Sequence, residues 1–449
     1  MVSTRAFLLC FLAFFAVTAL AVAATPTGPD LTAVSAPALP AEASAREAGI
    51  VDLAPGSGST VYGALARQGT GGGYFGVVAL AGGETPEAAF GEGGFTTPLK
   101  LPFGGFDNLA PQAEALAVQR DGKLVVAGFS QEGVRESVAF APLLARYRAD
   151  GSLDPSFVGD GIVGKAPQAH GGTEYHDVAV TGKGTILVAG GRDEEGVGVA
   201  APAGVLAAYR PDGSPDTAFG ERGQVLFKGR HAAYYSTLRA VQVLPSGKIL
   251  LAGYLDSELF LARLTAAGRL DHGFGDGDGE VTLNLHDPFC CEEAALALAP
   301  GGRIVVAGMG GSLSKYRVFL ARYLASGRLD RGFANKGVEA PVLRRRLGTL
   351  LGLAVQPDGK IVTVGRTEIT KANPDRAFAL FRNLPSGRPD RGFGREGLYT
   401  LRHGTESIAA AALTLPSGVL VGGSFLDRES QSANSGTTLL LGRVGATSG

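Results

Sequence analysis

Tryptophan is absent from this 449-residue chain, cysteine occurs three times, methionine twice and histidine six times. Two of the cysteines, Cys290 and Cys291, are adjacent, and the third, Cys10, lies in the leading apolar run. No disulfide framework can be built from that set, and a chain of this size does not need one. Neighbouring Cα atoms sit about 3.8 Å apart, below the roughly 4.4 Å that a bridge usually spans. Two free thiols and a strained vicinal disulfide therefore both stay open for the pair. Charge is sparse too: 18% of residues are charged and the net charge is -1. That balance points away from a nucleic-acid partner, and the basic cluster Arg344 to Arg346 reads as a solvated loop. After the leader there is no uninterrupted apolar stretch of the roughly 18 residues that a membrane span needs. The chain has no Walker lysine loop, no Gly-x-Ser-x-Gly and no His-Glu-x-x-His. Gly71-x-Gly73-x-x-Gly76 formally matches a dinucleotide fingerprint, but it falls between two strands with no helix to follow. No cofactor and no metal site are expected.

What the chain does have begins with a leader. Arg5 precedes an apolar run from Ala6 to Val22, with the small residues Ala21 and Ala23 around Val22. This is the pattern of a secretory signal peptide over residues 1–24, cleaved after Ala23 or Ala24, and it implies a secreted or cell-envelope protein. The competing reading, a membrane anchor, suffers from the shortness of the run.

Glycine is abundant, with 68 residues against 24 prolines, as many short strands joined by tight turns require. The turns recur. Asp154, Asp216, Asp271, Asp330 and Asp390 each stand three residues before Phe157, Phe219, Phe274, Phe333 and Phe393, and Glu87 with Phe90 makes a sixth copy. Successive phenylalanines are 67, 62, 55, 59 and 60 residues apart, too long for a helical pair repeat and right for a four-stranded blade. Each copy divides into a small apolar strand A, a turn such as Asp121-Gly122-Lys123, a strand B ending in glycine, a strand C such as Phe260 to Arg263, a turn such as Asp150 to Asp154, and a short strand D. In the first unit these are Ile50–Leu53, Thr60–Ala64, Tyr74–Leu80 and Phe95–Leu99. The last unit stops after strand C at Thr437 to Val444.

The expected fold is therefore an all-β, seven-bladed β-propeller with four-stranded blades over residues 49–449. The preceding segment, residues 25–48, supplies the missing outer strand from about Leu31 to Leu39 and closes the ring. An open solenoid is the alternative. The ordered recurrence of Asp-Gly-Lys, an apolar run with glycine, Leu-Ala-Arg-Tyr, Asp-Gly-x-Leu-Asp-x-x-Phe-Gly and Gly-x-Val resembles the delta-60 repeat family of bacterial exported proteins over roughly residues 50–444. The resemblance implies a propeller-like repeat of unassigned activity and carries no catalytic residues.

A residue that recurs around a ring cannot serve one site, so the repeated aspartates read as turn caps and not as catalysts or calcium ligands. An arginine eight residues earlier, in Arg146, Arg263, Arg322 and Arg382, offers an ion pair instead. Because the acid persists as Glu87 and Asp216 where that arginine is Ala79 or Ala208, the cap accounts for more copies.

Function is expected on the opposite face, where the B–C and D–A connections vary. Five histidines fall in D–A connections or at their ends: His170, His176, His231, His286 and His403. The D–A connection leads into the innermost strand, and the residues entering the central funnel read, blade by blade, Gly49, Glu114, His176, Arg239, Ala294, Leu351 and Ala410. Glu114, His176 and Arg239, with Asp177 and Glu293 beside them, are the candidate ligand-binding residues. The arc suits a polar ligand, a metal or general acid–base chemistry, and internal pairing of Glu114 with Arg239 is the bland alternative. The favoured function is a non-catalytic exported binding module, monomeric, with a protein or glycan partner. The alternative is an exported hydrolase or lyase with its site at the funnel.

Overall fold

The computed structural model describes residues 31–35, 39, 48–67, 74–99, 101, 110–134, 137–164, 172–192, 203–229, 236–283, 293–310, 317–339, 348–367, 377–402, 406–426 and 437–445. These form seven four-stranded antiparallel sheets, the blades of a β-propeller. The A strands are Ala48–Pro55, Ala110–Val118, Thr173–Val180, Thr237–Val243, Ala294–Ala299, Thr349–Val355 and Glu406–Leu415. Each touches the A strands of both neighbouring blades, which makes it the innermost. Small residues at these positions let seven strands crowd around one axis. No helix among the described residues is long and apolar enough to cross a membrane. The leader, Cys290, Cys291, Arg344 to Arg346, the first two glycines of the Gly71 motif and His170, His231, His286 and His403 lie outside the described residues.

Seven hydrophobic clusters fill the seven gaps between blades. One joins Ile50, Leu65 and Val78 of blade 1 to Leu420 and Leu441 of blade 7, so the ring is closed and the open solenoid is excluded. Closure is completed in the outer layer of blade 7. Leu31–Ser35 pairs antiparallel with Thr437–Gly445, Leu31 opposite Val444 and Ser35 opposite Leu441. The expected closing strand is thus present over Leu31–Ser35, and residues 36–38 of the expected range lie outside the described residues. It removes the exposed edge that a three-stranded last blade would offer.

Strand D of blade 1 differs from expectation. Its strand is Thr85–Pro86, paired with Leu80 and Ala81. The segment expected there, Phe95–Leu99, runs on along strand C through Thr96 N to Val77 O (2.9 Å) and Leu99 N to Phe75 O (3.1 Å).

The Asp-x-x-Phe unit is the fastener between blades. The ring of Phe157 is fully buried and packs against Tyr175, Ile186 and Val188 of the next blade. Gly213, in the C–D turn of that next blade, has φ 88° and a Cβ there would lie 2.7 Å from the Phe157 ring, so the turn must be glycine for both reasons. In five of the six copies the residue after the phenylalanine then donates its N–H across the gap, as in Gly91 to Asp150 O (2.8 Å), Gly220 to Ala267 O (3.0 Å) and Gly275 to Ser326 O (2.9 Å).

Cap and ion pair prove to be two halves of one arrangement. In Asp390, Oδ1 accepts from Gly392 N at 3.1 Å while Oδ2 accepts from Arg382 Nε at 2.8 Å. Asp154, Asp271 and Asp330 repeat this with Ser156, Gly273 and Gly332 as capped residues and Arg146, Arg263 and Arg322 as partners. Each guanidinium also lies 4.5–4.7 Å above the ring of the phenylalanine that follows, a cation–π contact. In Arg146, Arg263 and Arg322 it reaches the next blade as well, as in Arg263 Nη1 to Ala325 O at 2.6 Å. Where the arginine is missing, Asp216 Oδ1 still caps Ala218 N at 3.3 Å. All five aspartates keep the cap and the arginine is an addition to four of them, whereas in the sixth copy Glu87 Oε2 accepts from Thr60 Oγ1 at 3.1 Å.

Candidate functional site at the central funnel

An innermost strand has one paired edge and one edge on the axis, and here a β-bulge sets which side chains turn inward. The pairing of A with B slips by one residue at Val51, Glu114, His176, Arg239, Leu351 and Ala410. A bulge of this kind re-aims its extra residue. Five of these six are the residues expected at the funnel. Blade 1 is the correction: its bulge is Val51, two residues beyond Gly49, which is buried in the sheet opposite Ala66. In blade 5 the described pairing is regular from Ala294 onward.

A cavity of about 380 Å³ lies on the axis at this level. Glu114, His176, Asp177, Arg239 and Glu293 all line it, so all five candidates come together. Blades 2, 3 and 4 give it a polar arc. Blades 6 and 7 face that arc with Leu351, Ile408 and Ala410, and blade 6 adds the charged Arg366.

Arg239 Nη1 lies 3.3 Å from His176 Nδ1. A guanidinium has only donors, so Nδ1 is the acceptor and the imidazole proton sits on Nε2. A second proton on the ring would point N–H at N–H, and burial followed by the Arg239 charge holds the His176 pKa well below its ordinary value. Nε2 is buried without a hydrogen-bond partner. Glu174 Oε2, at 3.6 Å, is just too far. The ring is braced edge-on by Phe129, with centroids 6.5 Å apart.

Glu114 is half-buried among the inner strands, and desolvation pushes its carboxyl up to about 8 against the pull of Arg239, with Glu293 and Glu174 adding to the rise. Asp177 is raised to about 8 by burial and then by Asp52. Its oxygens serve the fold: Oδ1 accepts from Val178 N (2.8 Å) and Oδ2 from Val241 N of the next blade (2.7 Å). Asp52 repeats this between blades 1 and 2, accepting from Leu53 N and Leu116 N at 2.8 Å each, and burial raises it to about 6.

Sequence reasoning missed two charged cavity residues: Arg366, whose Nε donates to Thr349 Oγ1 at 3.1 Å, and Asp52. Aligning Val51-Asp52-Leu53 with His176-Asp177-Val178 would have found Asp52, since both place an acid after the bulge and an aliphatic residue after the acid. Among the described residues no group of three metal-ligating side chains is arranged to hold an ion. The lining includes no serine, threonine or cysteine, so no hydroxyl or thiol nucleophile faces the cavity among the described residues. Arginine, the His176 Nε2–H and carboxyls kept partly protonated make a set of donors and acceptors suited to recognition.

A model of the family described as "Domain of unknown function (DUF5122) beta-propeller" matches residues 119–157, 244–274, 300–333 and 356–393. These repeats match a propeller-repeat family of unassigned activity. Each matched stretch ends on the phenylalanine of a fastener and lies in a blade that carries the arginine; the blades with Ala79 and Ala208 are unmatched. No curated protein matches the chain. Among solved structures, a protein of unknown function from Dyadobacter fermentans is 12% identical with a TM-score of 0.49, over 93% of this chain and 100% of its own. A polysaccharide lyase described as an ulvan lyase is 12% identical with a TM-score of 0.42, over 76% and 84%. An α-L-arabinofuranosidase from Fusarium graminearum has the same identity and TM-score, over 76% and 94%. At these values none of them bears on what this chain binds or does.

Proposed function

We propose that this protein is an exported, monomeric, non-catalytic binding module whose working face carries the B–C and D–A connections and whose ligand seat is the funnel. Export rests on the leader pattern of residues 1–24, and the order of the repeat motifs keeps the resemblance to the delta-60 repeat family. One observation carries binding over catalysis: Arg239 occupies His176 Nδ1, which leaves the imidazole neutral and its remaining nitrogen protonated, a donor and not a base. Of the neighbouring carboxyls, two are committed and a third is protonated. Asp52 and Asp177 each hold two backbone N–H groups, and Glu114 retains its proton at neutral pH. A protein or glycan partner would dock on the rim, with the cavity taking a small group from it or a free small molecule.

Alanine at Glu114 and His176 tests this. Loss of ligand or partner capture, with no hydrolase or lyase activity in either protein, is the expected result. An activity of the unaltered protein against polysaccharide or ester substrates that disappears in both variants would establish the enzymatic reading instead.

A further inference from the structure

The turn face repeats in geometry but not in charge. In blades 5 and 6 the C–D turn and the loop around the buried phenylalanine carry Arg328, Arg331 and Lys336, then Arg388 and Arg391, all exposed. Among the described residues none of the five makes an ion pair. The acids of the same loops are already taken, Asp330 by Arg303 and Arg322 and Asp390 by Arg382. The two sets form one stripe, because Ala334 N donates to Ser386 O at 2.7 Å across the gap between the blades. The exposed Asp276 and Asp278 of blade 4 bound it on one side; on the other Arg395 and Glu396 offset each other in charge. The repeat supplies its own control. Blades 2 and 3 build the same turns with Ser152 and Pro155, and with Ser214 and Thr217, at the positions of Arg328 and Arg331. The fold therefore does not call for arginine there.

Cations gathered on one sector of a chain whose net charge is only -1 attract anions, and an anionic lipid surface needs no pocket to be held by them. Leu324 stands in the blade 5 turn among them, 37% exposed, and is one of two large hydrophobic side chains exposed among the described residues. A leucine amid basic residues suits the boundary between headgroups and acyl chains. A polysaccharide would find no exposed phenylalanine or tyrosine ring to stack on among the described residues. We infer that this stripe docks the protein on an anionic lipid surface, with Arg328, Arg331, Lys336, Arg388 and Arg391 against the headgroups and Leu324 at the acyl boundary. The opposite face, with the variable connections, is then turned away from the lipid and open to a ligand.

The test is co-sedimentation of the full mature chain with vesicles of phosphatidylcholine, alone or with about 30% phosphatidylglycerol. Binding to the anionic vesicles is expected at about 50 mM salt and should fall steeply by about 300 mM; neutral vesicles should not bind. Each of Arg328→Gln, Arg331→Gln and Arg391→Gln should weaken binding about fivefold, and the triple variant should abolish it. Leu324→Ser should weaken binding and leave its salt dependence in place. Lys183→Gln with Arg210→Gln removes exposed charge from the same face outside the stripe and should leave binding unchanged. Far-UV circular dichroism and the melt of every variant must match the parent. No binding to anionic vesicles at low salt, or an equal loss from the Lys183 and Arg210 pair, overturns the proposal. Binding of soluble dextran sulfate without binding to vesicles also overturns it, because the stripe then holds a polyanion and not a lipid surface. None of these outcomes bears on the funnel, which the Glu114 and His176 variants test separately.

Discussion

Replacing Phe274 by alanine tests whether the Asp-x-x-Phe beat is the fastener between blades. The ring is fully buried and belongs to the cluster joining blade 4 to blade 5, with Leu250, Leu261, Val306 and Phe319 among its members. Truncating such a ring removes its transfer energy and leaves a cavity, about 3–5 kcal/mol together. Arg263, whose guanidinium lies 4.7 Å above the ring, adds a cation–π contact of about 0.5–2 kcal/mol. The backbone bond from Gly275 N to Ser326 O, 2.9 Å, depends on the same turn and works toward the upper end. A loss of about 4–5 kcal/mol is therefore expected in urea or guanidinium unfolding. Far-UV circular dichroism is the probe, because the chain has no tryptophan. Arg263→Ala and the double variant complete a cycle in which the two changes should fail to add by about 1 kcal/mol. A loss below about 1 kcal/mol for Phe274→Ala, or full additivity in the cycle, would refute the fastener.

The remaining predictions concern pH, strain and closure. Glu114, Asp177 and Asp52 have folded pKa values raised to about 8, 8 and 6, so they bind protons more tightly folded than unfolded. Their contribution is fully present below about pH 4 and is lost as pH rises toward 8. The melting temperature should fall from pH 5 to pH 9, and Glu114→Gln should flatten that fall; a flat profile in the parent would contradict the buried carboxyls. Asp271 and Asp330 are lowered, Asp271 to about 2 by the hydrogen bonds of Lys248 and Arg263 that outweigh its desolvation. Their contribution is lost as pH drops below about 4, which places the optimum in mildly acidic solution. Val158 stands where most units have glycine, with φ 48° and 47% exposure. Val158→Gly should raise stability by about 0.5–1 kcal/mol, the relieved left-handed strain exceeding the entropy added to the unfolded chain; destabilisation would show that the valine is not strained. Deleting residues 25–45 removes the closing strand and should lower the melt sharply, whereas an unchanged melt would sink the closure.

The repeat was legible because two spacings carry it, the three residues from acid to phenylalanine and the roughly 60 from one phenylalanine to the next. Those distances hold wherever the same turn is rebuilt. Closure was legible from a deficit, the missing strand D after Thr437–Gly445. The two-part use of Asp390 was not. A sequence shows that an arginine and a capped turn both lie near, but not that one carboxylate oxygen serves each. The bulges were hidden for a similar reason: a slip between Ala113 and Ala115 is a property of pairing and leaves no composition mark. Counting to the start of the strand nonetheless landed on the bulge in Glu114, His176 and Arg239. It failed in blade 1, where the strand begins at Ala48 and the bulge comes at Val51, and that displacement concealed Asp52.

The account's central claim is that Arg239 holds His176 neutral at the funnel, with the ring proton on Nε2. Nitrogen-15 NMR of the histidine rings reports the tautomer directly. The prediction is a neutral His176 with the proton on Nε2 throughout pH 5–8 and Nδ1 kept as the acceptor from Arg239. A His176 ring that titrates within that range, or carries its proton on Nδ1, would contradict it.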